Sequence, residues 1–189
     1  MLRITAGEHR GRKLRVPKVA ATRPLVERAR EGLFNHLQEA VEGAVVWDIY
    51  AGSGILGLEA LSRGAGAVLA VEFSRDAVRQ IEENVALLGV ESRHRCLRQD
   101  VYRLPKMPGL GPAPDLMFFD PPYDEFRKGG KGREKVWRLF LDLAAMTASG
   151  GCAVVHTPRG ILTEAELASL PGLERRDYSN TSLYWWHRP

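Results

Sequence analysis

The sequence has only two cysteines, Cys96 and Cys152, far apart and each set in an apparent strand. Two lone thiols make neither a disulfide framework nor a metal knuckle, and both read as packing residues. The five histidines are equally scattered, with no metal-ligand spacing, so no metal is assigned. Although 44% of the 189 residues are hydrophobic, no apolar run approaches the roughly 20 residues that a membrane span requires. The opening Met1-Leu2-Arg3-Ile4-Thr5 leads into basic and polar positions, without the apolar segment of a secretory signal. Internal repeats and low-complexity tracts are also missing. What these absences leave is a soluble cytoplasmic protein, expected to be a monomer, with one full core and at most a small appendage.

Negative charge is scarce at one end. Nine basic residues precede Glu31 against two acidic ones, Glu8 and Glu27, whereas the whole chain carries only +4. The rest of the chain therefore sums to −3, and the positive character belongs to the amino end. Phosphate is the natural counter-charge for such a segment. Arg3, Arg10, Arg12, Lys13, Arg15 and Arg23 are the candidate nucleic-acid contacts.

Arg3 to Gly7 and Lys13 to Pro17 each alternate polar and apolar residues around a polar turn, which predicts a short β-hairpin. A hairpin alone is marginal, so it must lean on the body or on a ligand. The expected division is an amino-terminal extension over residues 1–22 and a main domain over 23–189. A helix follows from Pro24 to about Val41, with Leu25, Ala29, Leu33 and Leu37 at a spacing of four.

From Ala44 onward strand and helix alternate. Strands are expected at Val45 to Ile49, Ala67 to Glu72, Arg93 to Leu97, Asp115 to Phe119 and Gly151 to His156. Helices are expected at Gly54 to Arg63, Arg75 to Leu88, Arg133 to Met146 and Thr163 to Leu170, before an antiparallel pair, Leu173 to Tyr178 and Ser182 to His187. That alternation predicts a parallel α/β sheet with helices on both faces, whose ligands bind beyond the carboxyl ends of the strands.

At the end of the first strand lies Asp48-Ile49-Tyr50-Ala51-Gly52-Ser53-Gly54-Ile55-Leu56-Gly57, a glycine loop opening into a helix. It contains a Gly-x-Gly-x-x-Gly pattern, and Glu72 closes the next strand, where a ribose-binding acid belongs. Two ligands fit: a nicotinamide or flavin dinucleotide, or S-adenosylmethionine. Asp48 favours the second, because an acid four residues before the first glycine suits a cationic sulfonium and amino-acid ligand better than a pyrophosphate. Asp100, followed by Val101, ends the third strand and adds another acid to the same rim.

The fourth strand ends in Asp120-Pro121-Pro122-Tyr123. Two prolines stop the ladder and stiffen the chain, giving an extended corner that presents a carboxylate and a ring. A planar exocyclic amine is a poor nucleophile because its lone pair is delocalised. The Asp120 carboxylate and Pro121 carbonyl are suited to accept its two hydrogens while Tyr123 stacks on the base.

These stretches resemble the class I S-adenosylmethionine-dependent methyltransferases that act on planar amines. Within them the chain resembles the bacterial RsmD family, which methylates the N2 amine of a guanine in small-subunit ribosomal RNA. Three stretches carry the likeness: Arg3-Ile4 with Gly7 and Arg10-Gly11-Arg12-Lys13-Leu14; Arg23-Pro24 with Arg28, Arg30-Glu31 and Leu33-Phe34-Asn35; and Ala51-Gly52-Ser53-Gly54 with Leu58 to Gly64. The resemblance implies a Rossmann-like class I methyltransferase fold, with a seven-stranded, mostly parallel sheet, a terminal antiparallel strand and the amino-terminal hairpin. It implies S-adenosylmethionine held by Ala51 to Gly54, Glu72, Phe73 and Asp100, guanine held by Asp120 to Tyr123, and small-subunit ribosomal RNA as partner. A different planar amine, in DNA or in a glutamine side chain, is the nearest alternative; an NAD-dependent oxidoreductase is the more distant one. Leu25 and Glu27 depart from the family pattern. Gly129-Gly130-Lys131-Gly132 lengthens the loop after the corner, a candidate lid or RNA clamp with Arg127, Lys128 and Arg133.

Overall fold

The central strand stretches are rich in apolar and β-branched residues, and each forms its ladder in the computed structural model, which describes residues 2–16, 27–127 and 131–189. The main sheet contains β3 (Val45–Ile49), β4 (Ala67–Glu72), β5 (His94–Arg98), β6 (Leu116–Phe119), β7 (Cys152–Pro158), β8 (Glu174–Tyr178) and β9 (Thr181–His187), in the order β5-β4-β3-β6-β7-β9-β8. β9 alone runs against the other six, pairing antiparallel with both β7 and β8. The amino-terminal hairpin, β1 (Leu2–Arg3) and β2 (Lys13–Leu14), forms a separate two-stranded ladder.

Side chains along a strand alternate between faces, and each face of the sheet builds its own core. On one face Val46, Val68, Ala70, Leu116, Phe118 and Val154 pack against α1 (Glu27–Leu37), α2 (Ile55–Ser62) and α3 (Arg75–Leu88). On the other, Trp47, Ile49, Met117, Phe119 and Val155 meet Val136, Trp137, Phe140 and Leu143 of α5 (Lys131–Ala144). A short α4 (Tyr123–Arg127) precedes α5, and α6 (Glu164–Ala168) opens on a capping box between Thr163 and Glu166.

Several boundaries move from their sequence expectation. Of the expected first helix, Pro24 and Leu25 lie outside the described residues. After Leu37 the chain tightens into a 3₁₀ turn at Gln38–Val41, with Gln38 at φ 43°. Tyr123 is the first residue of α4 rather than the end of an extended corner. The reason is local: once past Pro122, nothing denies the backbone its helical bonds, and the Glu125 amide donates to the Pro122 carbonyl at 2.9 Å. Of the loop expected around Gly129 to Gly132, residues 128–130 lie outside the described residues, while Arg127 ends α4 and Lys131, Gly132 and Arg133 belong to α5 rather than to a loop.

The hairpin is bolted to the domain. Leu2, Ile4 and Leu14 are buried in the core of the first face. Glu59 of α2, fully buried, accepts from the backbone amides of Thr5 (2.9 Å) and Ala6 (3.1 Å) and from the Thr5 hydroxyl. The same carboxylate faces Arg30 at 3.5 Å and Arg63 at 3.0 Å. Asn84 of α3 grips the backbone of Arg15 in both directions, donating to its carbonyl and accepting from its amide, at 2.9 Å each. Gly7 (φ +82°) lies so close to α2 that a Cβ there would sit 1.6 Å from the Ser62 carbonyl oxygen.

Removing one partner of a buried, hydrogen-bonded charge pair strands the other. Glu59→Ala leaves Arg30 without its counter-charge and frees three hairpin donors, so it is expected to lower stability by about 3–5 kcal/mol. The midpoint of urea unfolding measures this; an unchanged midpoint contradicts the docking role of Glu59.

Candidate functional site

The cavity rim is built where β3 gives way to α2. The chain must reverse sharply there, and it does so through three left-handed residues, Tyr50 (φ 62°), Gly52 (φ 55°) and Gly54 (φ 73°). Glycine takes that conformation freely, whereas Tyr50 holds it at a cost of order 1–3 kcal/mol. The strained turn lays the Tyr50 ring edge-on to Phe119, with centroids 5.4 Å apart. Its buried hydroxyl stands near Tyr102 without a well-formed hydrogen bond.

Two acids fix the loop. Glu72, at the tip of β4, accepts from Gly52 N–H through Oε2 and from Ser74 N–H through Oε1, both at 2.8 Å. Asp48, only 1% exposed, accepts from Gly57 N–H at 3.0 Å. Burial is the main cause that pushes the Asp48 carboxyl up to about 8; the Gly57 amide opposes it, and the charges of Asp120 and Glu72 add to it. Asp48 thus supports the loop from beneath and is not among the residues lining the cavity.

The cavity itself, about 390 Å³, is lined by Tyr50, Glu72, Phe73, Asp100, Val101 and Tyr102 on one side and by Asp120, Pro122 and Glu125 on the other. That volume lies in the usual range for small-molecule sites. Phe73 is 72% exposed, a large ring left at the mouth of the site. Asp100 caps the 3₁₀ turn Val101–Lys106, accepting from Tyr102 N–H at 3.1 Å. Three carboxylates at the ends of β4, β5 and β6 therefore face one space, which suits a cation and repels an anion.

The corner reaches this space because β6 lies beside β3, with Phe119 paired to Ile49. The Asp120 amide continues the ladder, donating to the Ile49 carbonyl at 3.2 Å. On its other side Asp120 meets β7: His156 Nδ1 lies 2.6 Å from Asp120 Oδ1. His156 Nε2 lies 3.1 Å from the Tyr123 hydroxyl and against the Thr181 hydroxyl. The Tyr123 hydroxyl also lies 3.1 Å from Thr181 Oγ1, and the Thr181 O–H donates to the Thr157 carbonyl at 2.7 Å.

The structure therefore gathers Tyr50, Glu72, Phe73, Asp100, Val101, Asp120 and Pro122 at one cavity, with Ala51, Gly52, Ser53 and Gly54 forming its loop and Pro121 buried behind. The basic residues are elsewhere. Arg3 pairs with Glu27 at 2.9 Å and Arg15 with Glu83 at 3.0 Å, while Arg10, Arg12 and Lys13 are exposed without an ion pair among the described residues. Arg23 lies outside the described residues. The hairpin turn rests on Ser62 and Arg93, at the end of the domain where the parallel strands begin, opposite the cavity. His36, Glu174 and His187 bring possible ligand atoms within 4.8 Å of one another, away from this cavity. The sequence reading missed His156, Tyr102 and Glu125. For His156 a signal existed: it lies near the carboxyl end of β7, the strand next to the Asp120 strand.

A family model described as Conserved hypothetical protein 95 matches residues 2–186. The chain belongs to that family, the RsmD family. Ribosomal RNA small subunit methyltransferase D of Escherichia coli K12 is 38% identical over 128 residues, a match spanning 68% of this chain and 62% of that protein. Among solved structures, "Putative methyltransferase yhhF" from Escherichia coli superposes with a TM-score of 0.79 at 30% identity, covering 99% of this chain and 97% of that one. A hypothetical protein of Thermus thermophilus, TTHA0928, gives 0.78 at 32% identity, over 98% and 99%. The RsmD-family fold is that of the class I methyltransferases, as the strand order already indicated.

The raised Asp48 carboxyl has a consequence for stability. A folded-state value above the unfolded 3.8 means the stabilising state is the protonated one; its benefit is complete below pH 3.8 and is lost as pH rises through about 8. Asp48→Asn cannot ionise, and all other groups cancel between the two proteins. The variant's stability relative to the parent should therefore rise between pH 5 and pH 8. Denaturant unfolding at both pH values measures it, and an unchanged difference contradicts a buried, neutral Asp48.

Proposed function

We propose that the chain transfers a methyl group from S-adenosylmethionine to the exocyclic N2 amine of a guanine in small-subunit ribosomal RNA. The observation that carries this reading is the placement of the Asp120 corner on the same cavity as the glycine loop, Glu72 and Asp100. The cavity lining suits the cofactor: Glu72 would accept from the ribose and Asp100 from the adenine amine, Phe73 would pack on the adenine, and the acids favour a cationic sulfonium. When bound, the cofactor supplies an electrophilic methyl carbon.

Everything else is done by the chain. The Asp120 carboxylate and the Pro121 carbonyl accept the two amine hydrogens, drawing the nitrogen lone pair out of conjugation. The glycine loop of Ala51 to Gly54 with Glu72 and Asp100 would hold the cofactor with its methyl group toward that nitrogen, and its sulfur would keep the electron pair of the carbon–sulfur bond that is given up. The surplus proton leaves through Asp120 or water. Positioning and a preorganised field supply the rate, with no covalent enzyme intermediate.

A dinucleotide oxidoreductase is the poorer reading. The Gly52 amide, which such a site would offer to pyrophosphate, is already taken by Glu72, and the surrounding carboxylates would repel the phosphates. Guanine N2 is preferred to an adenine or cytosine amine on the strength of the RsmD resemblance, and ribosomal RNA on the basic hairpin with the names of relatives. Among the described residues no helix is long and apolar enough to cross a membrane. We take the enzyme to act as a cytoplasmic monomer, with residues 1–22 as the RNA grip and 23–189 as the catalytic domain. Because the hairpin turn and the cavity lie at opposite ends of the strands, RNA touching both must run about 17 Å or more along a five-residue strand.

Asp120→Ala should cut methyl transfer on the order of 10³-fold while leaving calorimetric affinity for S-adenosylmethionine within about twofold; full activity in that variant sinks the mechanism. Replacing Arg12 and Lys13 together by alanine should raise the KM for RNA, leave kcat unchanged and lower the log–log salt slope by roughly one to two. Unaltered RNA affinity would remove the hairpin from the RNA path.

A further inference from the structure

The proposed mechanism leaves one buried group without a part. His156 is 4% exposed, sits at the catalytic rim and lies 2.6 Å from the acid the mechanism depends on. It comes from β7, whereas Asp120 ends β6 and Tyr123 opens α4. Three separate elements therefore meet in one imidazole.

The proton arrangement follows from the partners. An ionised Asp120 can only accept, so Nδ1 must carry the hydrogen that bridges the 2.6 Å gap to Oδ1. In a neutral imidazole Nε2 is then the acceptor; Thr181 gives its one proton to the Thr157 carbonyl, so the donor to Nε2 is the Tyr123 hydroxyl, 3.1 Å away. Every polar atom of the ring has a partner, as a buried imidazole requires.

We propose that His156 is a positioning residue of the methyl-transfer site, one ring that holds the Asp120 carboxylate through Nδ1 and the Tyr123 hydroxyl through Nε2. This inference rests on the methyltransferase reading of the corner. Two prolines fix the backbone between Asp120 and Tyr123, but a fixed backbone sets neither the rotation of the carboxylate nor the swing of the phenol. His156 restrains both. Oδ1 is tied to the ring, which leaves Oδ2 for the amine, and the tyrosine is tethered by its far end, which leaves its face for the base. A misplacement of about 1 Å at a reacting group can cost 10²-fold in rate, so a side chain that never touches substrate can still govern kcat.

The test combines a substrate-free spectrum with kinetics on the full-length protein. Long-range proton–nitrogen correlation on ¹⁵N-histidine-labelled protein should show His156, assigned by its loss in His156→Asn, as the neutral tautomer protonated on Nδ1, and Asp120→Ala should abolish that preference. His156→Leu should lower kcat about 100-fold, with calorimetric cofactor affinity and the KM for RNA unchanged within about twofold. His156→Asn, whose amide N–H can reach the place of Nδ1, should recover to within about tenfold of the parent. A proton on Nε2 with Nδ1 bare overturns the inference, as does wild-type kcat in His156→Leu or a loss of both affinities in step with kcat. A parent protein that methylates no ribosomal RNA would defeat the proposed function, and the tautomer measurement alone would then decide whether His156 holds the corner.

Discussion

The parallel pairing of β3 with β6 is the constraint on which the site depends. These strands lie some seventy residues apart in sequence, yet Ile49 and Phe119 are register partners and the Asp120 amide bonds to the Ile49 carbonyl. One strand ends in a loop shaped to enclose a small ligand, the other in an acid. Adjacency turns two local motifs into one cavity. Without it, the glycine loop would be an ordinary strand-to-helix turn and the Asp-Pro-Pro stretch an ordinary stop signal.

Around that pairing the chain uses carboxylates in three ways. Asp48 is sealed under the loop and secures the start of α2; Glu72 spans Gly52 and Ser74 while still facing the cavity; Asp120 is held from the side by β7. Glu59 does the equivalent task at the far end, joining the hairpin to α2 and α1. The loop and the hairpin are thus both held by acids whose burial makes them costly to remove. Function concentrates where the acids remain reachable.

Much of this was legible in the sequence. Alternation of strand and helix marked the parallel sheet, and the first and fourth strands, whose ends carry the two motifs, lie side by side in it. What was not legible depends on which side chains meet across strands. Asp48 was read as a ligand acid because it precedes the glycine loop, but it shares the alternation of Val46 and so faces α2. Glu59 was given no role of its own, since nothing local shows that the hairpin covers it. His156 was read only as a strand end. Its partner is thirty-six residues away and becomes a neighbour only when β7 pairs with β6. Tyr123 was placed in an extended corner because proline restricts the residues before it, while its effect on those after it ends within one residue.

The central claim is that this cavity delivers a methyl group to a planar amine of ribosomal RNA, and the identity of the modified nucleoside tests it most directly. Small-subunit ribosomal RNA, naked and within assembled subunits, would be incubated with the protein and methyl-labelled S-adenosylmethionine, digested to nucleosides and separated by mass. The account predicts label in N2-methylguanosine. Label in a methylated adenosine or cytidine, or none in either form of the RNA, would contradict it.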